Sequence, residues 1–283
     1  MKTLFTAFCL ISFCSFLAAS EIIHYPQAIQ TYDKHHVYPL SLLKLALSKT
    51  STKYRSLPSD TFMNQGRALI QLASEDGVEI LWTMTSKARE AALLPIRIPI
   101  YKGLIGWRVF LINTNTKMDL TSPIPLEKLK TLKVIQGHDW PDTDILRQNQ
   151  FNTLTGPHYE GLFKILQYQR ADLFPRSIIE VWEELKINKN LNIGLEQHTL
   201  ISYPTASYFF VSKKNKRLAQ AVQEGLTLAL EDGSFDALFQ LHFSKMIKQA
   251  ALNTRTHYHL TNPLLAAETP LADKRLWFSP FQE

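Results

Sequence analysis

Thr83 and Thr85 end an apolar run of the sequence, and Arg89 follows four residues later. A guanidinium group is a planar fork that matches a carboxylate with two hydrogen bonds, and the threonine hydroxyls are further donors. This spacing indicates a site for a carboxylate. The alternative is a surface arginine paired with Glu75 or Glu90, with the threonines as ordinary strand residues.

A second polar stretch, residues 137–143, lies between a predicted strand and a predicted helix. A helix N-terminus offers free N–H groups and a partial positive charge, which suit an anion. Asp139, however, repels a carboxylate placed nearby unless it contacts an ammonium group, and Asp142 is better explained as the helix N-cap. We expect His138 and Asp139 to line a ligand site, with the rings of Trp140 and Tyr159 near helix starts enclosing the ligand.

The sequence lacks the motifs that would indicate several other classes of chemistry. The chain has 283 residues and a formal charge of +6, but no Lys/Arg block, so we expect no nucleic-acid partner. Its two cysteines, Cys9 and Cys14, both lie in the N-terminal apolar segment. There is no Gly-x-Ser-x-Gly motif and no glycine-rich phosphate loop. The histidines at 35–36 and at 257 and 259 have no carboxylates at ligand spacing, so we predict no metal site and no cofactor.

Residues 1–20 have the three parts of a secretory signal peptide. Lys2 precedes an apolar run over 4–17, and small residues follow at 18–20. The run is shorter than the roughly 20 residues of a membrane span, which argues against the alternative of an uncleaved anchor. Cleavage after Ser20 therefore predicts an exported protein.

The elements that would position the polar residues alternate between strands and helices. The first hundred residues read as β-α-β-α-β, and a second alternation runs from 126 to 211, which together favour an α/β fold. The polar, turn-rich segment 113–125 is a plausible crossing between domains. Helices are predicted at 218–230, 235–243 and 245–252, and no internal repeat is visible.

Four stretches carry a likeness to one family through their order and spacing. Their sequences are TMTSKARE at 83–90, LKVIQG at 132–137, QRADL at 169–173 and YFFVSK at 208–213. Together they resemble the type II periplasmic solute-binding proteins of ABC importers, in particular the polar amino-acid-binding group. The resemblance covers most of the chain after residue 20. It implies two α/β lobes with a ligand cleft between them: one lobe formed by 21–112 plus 212–283, the other by 113–211.

The resemblance also assigns roles to single residues. In the family, an arginine at the position of Arg89 clamps the ligand's α-carboxylate. The acid that binds the ligand's ammonium group aligns with Ser177, beside Arg176. Two arginines facing the cleft would favour an anionic ligand such as a dicarboxylate, whereas the alternative for Arg176 is a surface position.

Three functions fit these residues. The first is a monomeric periplasmic binding protein, not an enzyme, which delivers a small carboxylate-bearing ligand, amino-acid-like or acidic, to a membrane permease. The second is a sensory subunit that presents the ligand-bound state to a membrane kinase or cyclase. The third is an enzyme resembling the cyclohexadienyl dehydratases of this fold, for which Asp139 or Glu180 would supply the general acid.

Overall fold

The computed structural model describes residues 20–27 and 36–280. The predicted signal peptide, apart from Ser20, lies outside the described residues, as does His35. Within the described part, no helix is long and apolar enough to cross a membrane.

Strands and helices alternate through most of the described chain. The helices are α1 (Val37–Ser48), α2 (Gln65–Ser74), α3 (Lys87–Ala92), α4 (Leu126–Thr131), α5 (Pro141–Gln148), α6 (Tyr159–Gln167), α7 (Val181–Ile187), α8 (Lys216–Glu231) and α9 (Ser234–Ala250). The strands are β1 (Glu21–Gln27), β2 (Tyr54–Phe62), β3 (Ile80–Met84), β4 (Leu94–Ile96), β5 (Trp107–Asn113), β6 (Lys133–Gly137), β7 (Asn152–Gly156), β8 (Leu173–Ser177), β9 (Ile193–Leu195), β10 (Thr199–Ser202), β11 (Ser207–Val211) and β12 (Thr256–His259). The predicted α/β class is thus confirmed.

The first group of strands runs in the order β2-β1-β3-β11-β4. β1 pairs in parallel with β2, and β11 lies antiparallel between β3 and β4. β1 lies beside β3, where the Glu79 N–H donates to the His24 carbonyl at 2.9 Å. The strand inserted between β3 and β4 comes from much later in the chain.

The second group repeats this arrangement as β7-β6-β8-β5-β9. β6 is parallel to β7 and β8, while β5 is antiparallel to β8 and β9. The first residues of β5 also pair with β10, and β12 extends the sheet beyond β10. The shared strand order is an internal repeat of topology, which the sequence analysis did not detect.

Strand pairing bears on where one lobe ends and the next begins. β5 pairs with strands of the second group, and β11 pairs with strands of the first. We therefore propose that the lobe boundaries lie near residues 106 and 206, earlier than the predicted 112 and 211. All of β5 already belongs to the second lobe and all of β11 to the first, so the chain crosses between the lobes before each of these strands begins. The paired segment of β5 and β10 lies at the first of these crossings and just before the second.

The helices α8 and α9 pack in the first lobe, against α1. In α8 the predicted stripe of Leu218, Val222, Leu226 and Ala229 is fully buried. Gly225 lets α8 approach α1 closely, since a Cβ there would lie 2.0 Å from the Ala46 carbonyl oxygen. α9 is one continuous helix, so the prediction of two helices was wrong. The polar residues around 244–245 break the apolar pattern but include no helix-breaking residue.

Candidate functional site

Arg89 lies where the two lobes meet. It is the third residue of α3, whose N-cap Ser86 accepts a hydrogen bond from the Arg89 N–H at 3.3 Å. In the side chain, Nη1 donates to Thr83 Oγ1 and to the Met84 carbonyl, both at 2.7 Å. These two bonds fix the guanidinium against the carboxyl end of β3.

The other terminal nitrogen, Nη2, is bonded to both lobes. Arg89 Nη2 donates to Gln65 Oε1 at 2.7 Å and to the Asp139 backbone carbonyl at 3.2 Å. Burial lowers the pKa of Arg89 to about 10, although the negative charges of Asp139 and Asp142 oppose this change. The guanidinium stays protonated at neutral pH and holds two acceptors that a ligand carboxylate could replace.

The Asp139 side chain contacts the first lobe. Its Oδ2 lies 3.4 Å from where a Cβ would stand on Gly66, in the first turn of α2. The partial positive charge at a helix N-terminus favours a carboxylate there. Asp139 is therefore part of the contact between the lobes, and its side chain is exposed.

A second cluster of predicted residues, Trp140, Tyr159 and Arg176, lies inside the second lobe. Arg176 is buried, with its Cζ 4.8 Å from the Trp140 ring centroid and 5.9 Å from that of Tyr159. Cations attract the faces of aromatic rings at such distances. Trp140 is the N-cap of α5 and Tyr159 the first residue of α6, so both lie at helix starts, as predicted.

The charge of Arg176 is already paired within the protein. Its Nε donates to both Glu184 oxygens at 2.9 Å, and its Nη2 lies 2.5 Å from Glu184 Oε1 and 3.0 Å from Glu180 Oε2. Burial alone would lower the pKa of Arg176, but these two carboxylates raise it well above its ordinary value. The expectation of two cleft arginines that attract an anion does not fit this geometry.

The ion pairs continue through Arg108 toward the paired segment of β5 and β10, which we call the hinge. This residue of β5 is 1% exposed and pairs with Asp142 and, at 3.3 Å, with Glu180 Oε2. The Tyr203 hydroxyl also donates to Asp142 Oδ1. Asp142 is not the N-cap of α5, contrary to the prediction, because the helix begins at Pro141 after the N-cap Trp140. Its carboxylate is engaged by Arg108 and Tyr203 instead.

Three predicted residues lie apart from both groups. Thr85 is fully buried and donates to Glu90 Oε1 at 2.6 Å. Ser177 is fully buried, and its hydroxyl donates to the Leu104 carbonyl at 3.0 Å. His138 is exposed, and its backbone N–H donates to the Gly156 carbonyl. The structure therefore brings together Arg89, Thr83 and Asp139 at one place and Trp140, Tyr159 and Arg176 at another.

Sequence reasoning missed several residues of this region. The structure adds Gln65 to the contact between the lobes and Arg108, Glu184 and Tyr203 to the buried polar cluster. Asp142, predicted only as an N-cap, also belongs to this cluster. Arg108 had a readable signal, since it is the one charged residue in the apolar run 104–112. A charge in such a run is expected to be paired when buried. Nothing in the sequence identified its partners.

Comparison with known proteins defines the architecture. A periplasmic binding protein of Salmonella typhimurium with high arginine specificity superposes with a TM-score of 0.59 at 12% identity, over 79% of this chain and all of that one. The chain has the type II periplasmic binding fold. The predicted two-lobe fold and the resemblance on which it rested are confirmed at that level.

Two further solved structures share the fold. An ancestral arginine-binding protein bound to arginine gives a TM-score of 0.58 at 14% identity, over 79% of this chain and 98% of that chain. A histidine kinase sensor domain with similarity to periplasmic binding proteins gives 0.57 at 12% identity, over 79% and 96%. No protein-family model and no curated protein sequence matches the chain.

Proposed function

We propose that this chain is an exported, periplasmic solute-binding protein that captures a small carboxylate-bearing ligand between its lobes. The proposal rests on the hydrogen bonds of Arg89. Its Nη1 donates to acceptors on β3 that anchor the guanidinium, whereas its Nη2 donates to acceptors at the contact between the lobes that a ligand could replace. A ligand carboxylate would take the places of Gln65 Oε1 and the Asp139 carbonyl on Nη2. Thr83 would keep the guanidinium in position.

The charges favour an amino-acid-like ligand over a dicarboxylate. Arg176 is held by Glu180 and Glu184, which leaves Arg89 as the member of the predicted pair placed to bind an anion. The exposed Asp139 carboxylate beside it could accept an ammonium group. Both halves of a zwitterion would then be bound at the contact between the lobes, with no chemistry performed on the ligand.

Titration calorimetry on residues 21–283 tests this proposal. The panel comprises amino acids, hydroxy and keto acids, dicarboxylates, amines and sugars. We expect binding of a carboxylate ligand, weakened about 10- to 100-fold in Arg89→Ala, since a hydrogen bond to a charged group contributes about 1.5–3 kcal/mol. Arg55→Ala is the control, because Arg55 is exposed on β2. Binding that survives Arg89→Ala, or a preference for sugars, would refute the proposed site.

The partner of the liganded protein is a separate part of the proposal. One solved structure of this fold is the substrate-binding protein of an amino-acid ABC transporter, and another is a kinase sensor domain. We favour a permease, with a membrane kinase or cyclase as the alternative. Neighbouring genes for a permease and an ATPase would support transport, whereas a neighbouring sensor gene without them would support signalling.

An enzyme on this fold is the less favoured reading. Of the two acids predicted to act as proton donors, Glu180 has its Oε2 engaged by Arg108, Arg176 and the Ser177 N–H. Asp139 lies at the contact between the lobes instead of beside a second catalytic group. Turnover of prephenate by the purified protein would overturn this conclusion.

A further inference from the structure

Residues 255–264, which we call the strap, leave the first lobe and run along the hinge. After α9 ends, β12 pairs in parallel with β10, from Thr199 opposite Thr256 to Ser202 opposite His259. Two backbone bonds of 2.7 Å close this ladder, one from the Thr256 N–H to the His198 carbonyl and one from the Leu260 N–H to the Ser202 carbonyl. The strap is therefore a third strand beside the crossing strands β5 and β10.

Arg255 fixes the beginning of the strap. It is 8% exposed, and its Nη1 donates to the Glu196 carbonyl at 2.7 Å, next to the start of β10. Its Nε donates back to the Ala250 carbonyl at 2.9 Å, at the end of α9. A buried guanidinium thus joins the last helix of the first lobe to the second lobe.

The end of the strap is bonded to both lobes within four residues. In the second lobe, Asn149 Nδ2 donates to the Thr261 carbonyl at 2.8 Å, and Asn149 Oδ1 accepts from the Thr261 N–H at 3.2 Å. In the first lobe, the Lys87 N–H and Nζ donate to the carbonyls of Leu264 and Pro263, each at 3.0 Å. Lys87 is the first residue of α3, the helix that carries Arg89.

Chain length limits how far these two attachments can separate. Three residues of fully extended chain span at most about 11 Å, so the step from Thr261 to Leu264 has little slack to release. Lobes that swing apart about β5 and β10 would move Asn149 away from Lys87. Wide opening then requires one of the two attachments to break.

We propose that the strap is a third connection between the lobes, which restrains their opening and releases at Asn149 or at Lys87 when they open. This restraint stands on the contacts alone. Its consequence, that strap release controls ligand entry at Arg89, rests on the proposed function.

Spin-label distances in the ligand-free protein test the restraint. Residues 21–283 contain no cysteine, so Lys44→Cys on α1 and Lys128→Cys on α4 introduce one exposed label on each lobe. Asn149→Ala removes the attachment in the second lobe. Asn188→Ala is a matched control, because both residues are helix C-caps whose Nδ2 donates to the carbonyl four residues earlier. Asn149 donates to Ile145 at 2.8 Å, and Asn188 donates to Glu184 at 2.9 Å on α7, away from the strap.

We expect one narrow distance distribution in the parent protein and in Asn188→Ala. In Asn149→Ala, loss of the hydrogen bonds to the Thr261 backbone and hydroxyl should raise the ratio of open to closed molecules about tenfold and add a longer distance. Hydrogen exchange at the Lys87 amide, whose acceptor, the Leu264 carbonyl, is untouched by the substitution, should accelerate. Unchanged distances and exchange in Asn149→Ala would overturn the proposal.

A second variant covers the case in which Asn149→Ala does not fold. Asn149→Asp keeps an acceptor for the Thr261 N–H and loses only the donor, so we expect a smaller population of the longer distance. A distribution identical to that of the parent would again overturn the restraint. Because no ligand is present, these results are independent of whether calorimetry finds a ligand for Arg89.

Discussion

Arg89 of the first lobe donates a hydrogen bond to the Asp139 backbone carbonyl of the second lobe, with Nη2 and O 3.2 Å apart. The same guanidinium is held from behind by Thr83 and the Met84 carbonyl. The Arg89 side chain thus joins the end of β3 to the second lobe. A ligand that replaces the Asp139 carbonyl would have to supply an equally good acceptor.

Thr83, on β3, and Thr85, which directly follows this strand, should respond differently to loss of their hydroxyls. Thr83→Val removes an acceptor from Arg89 Nη1, so we expect ligand affinity to fall about fivefold through poorer positioning of the guanidinium. Thr85→Val removes a donor to Glu90 Oε1 in a buried site, so we expect the free energy of unfolding to fall by about 1–3 kcal/mol with affinity unchanged. Calorimetry and urea unfolding measure the two quantities.

This pair of substitutions carries its own control. Both replace a buried threonine with a residue of the same shape, Thr83 near the end of β3 and Thr85 directly after it. Equal losses of affinity in the two variants would mean that Arg89 does not depend on Thr83.

How much of the site could be predicted depends on how local its contacts are. Thr83 and Arg89 are six residues apart, and the apolar run followed by a helix start was enough to bring them together. Arg89 and Asp139 are 50 residues apart in different lobes, and only the folded chain shows their contact. The Arg176–Glu184 pair lies within one strand–helix unit, yet sequence spacing did not reveal that Arg176 turns inward.

In the fold, too, the local features could be predicted and the contacts between distant segments could not. The apolar stripe of α8 predicted both the helix and its buried face, since periodicity is a local signal. The insertion of β11 between β3 and β4 joins strands more than a hundred residues apart. No strand was predicted at β12, because its sequence, THYH, includes two histidines and shows no apolar alternation.

The buried pair of Arg176 and Glu184 should be costly to break from one side. Arg176→Met leaves Glu184, which is 1% exposed, without its main partner, so we expect the free energy of unfolding to fall by about 3–5 kcal/mol. The double variant Arg176→Met with Glu184→Leu removes both charges and should recover more than half of this loss. A double-mutant cycle in urea provides the measurement.

The result of the cycle separates two accounts of Arg176. Recovery in the double variant means that the residues act as a structural pair. If the losses simply add, Arg176 owes its stabilising effect to its contacts with Trp140 and Tyr159 instead.

Gly137 is required by the position of Trp140. A Cβ on Gly137 would lie 2.5 Å from the Trp140 ring, which in turn covers Arg176. We expect Gly137→Ala to lower the free energy of unfolding by about 1–3 kcal/mol, because the ring must move. Differential scanning calorimetry would show this as a lower melting temperature.

Gly161 provides a matched control for that substitution. It lies in α6, and the nearest atom to an added Cβ would be His158 Cβ at 3.9 Å. Gly161→Ala should therefore stabilise the protein by about 0.5–1 kcal/mol, as expected for alanine in a helix. A loss of stability in both variants would contradict the role given to the Trp140 ring.

Stability should fall in mild acid because of His257 on the strap. Its ring stacks on Trp107 at 5.0 Å, and its Nε2 lies 2.7 Å from Ser202 Oγ, which His259 also contacts. Burial, with a smaller contribution from the nearby His259, lowers the pKa of His257 below its ordinary value. In an unfolded chain the pKa of histidine is about 6.5, so between the two values the unfolded state binds more protons. The contribution of His257 is thus fully present above about pH 6.5 and is lost as the pH falls toward its folded pKa.

We expect the unfolding free energy to decrease from pH 7 to pH 5, and to decrease less in His257→Gln. His158→Gln, a change at an exposed histidine, should keep the parent slope. Urea unfolding at a series of pH values measures the slopes, and equal slopes for His257→Gln and the parent would show that His257 does not couple the strap to pH.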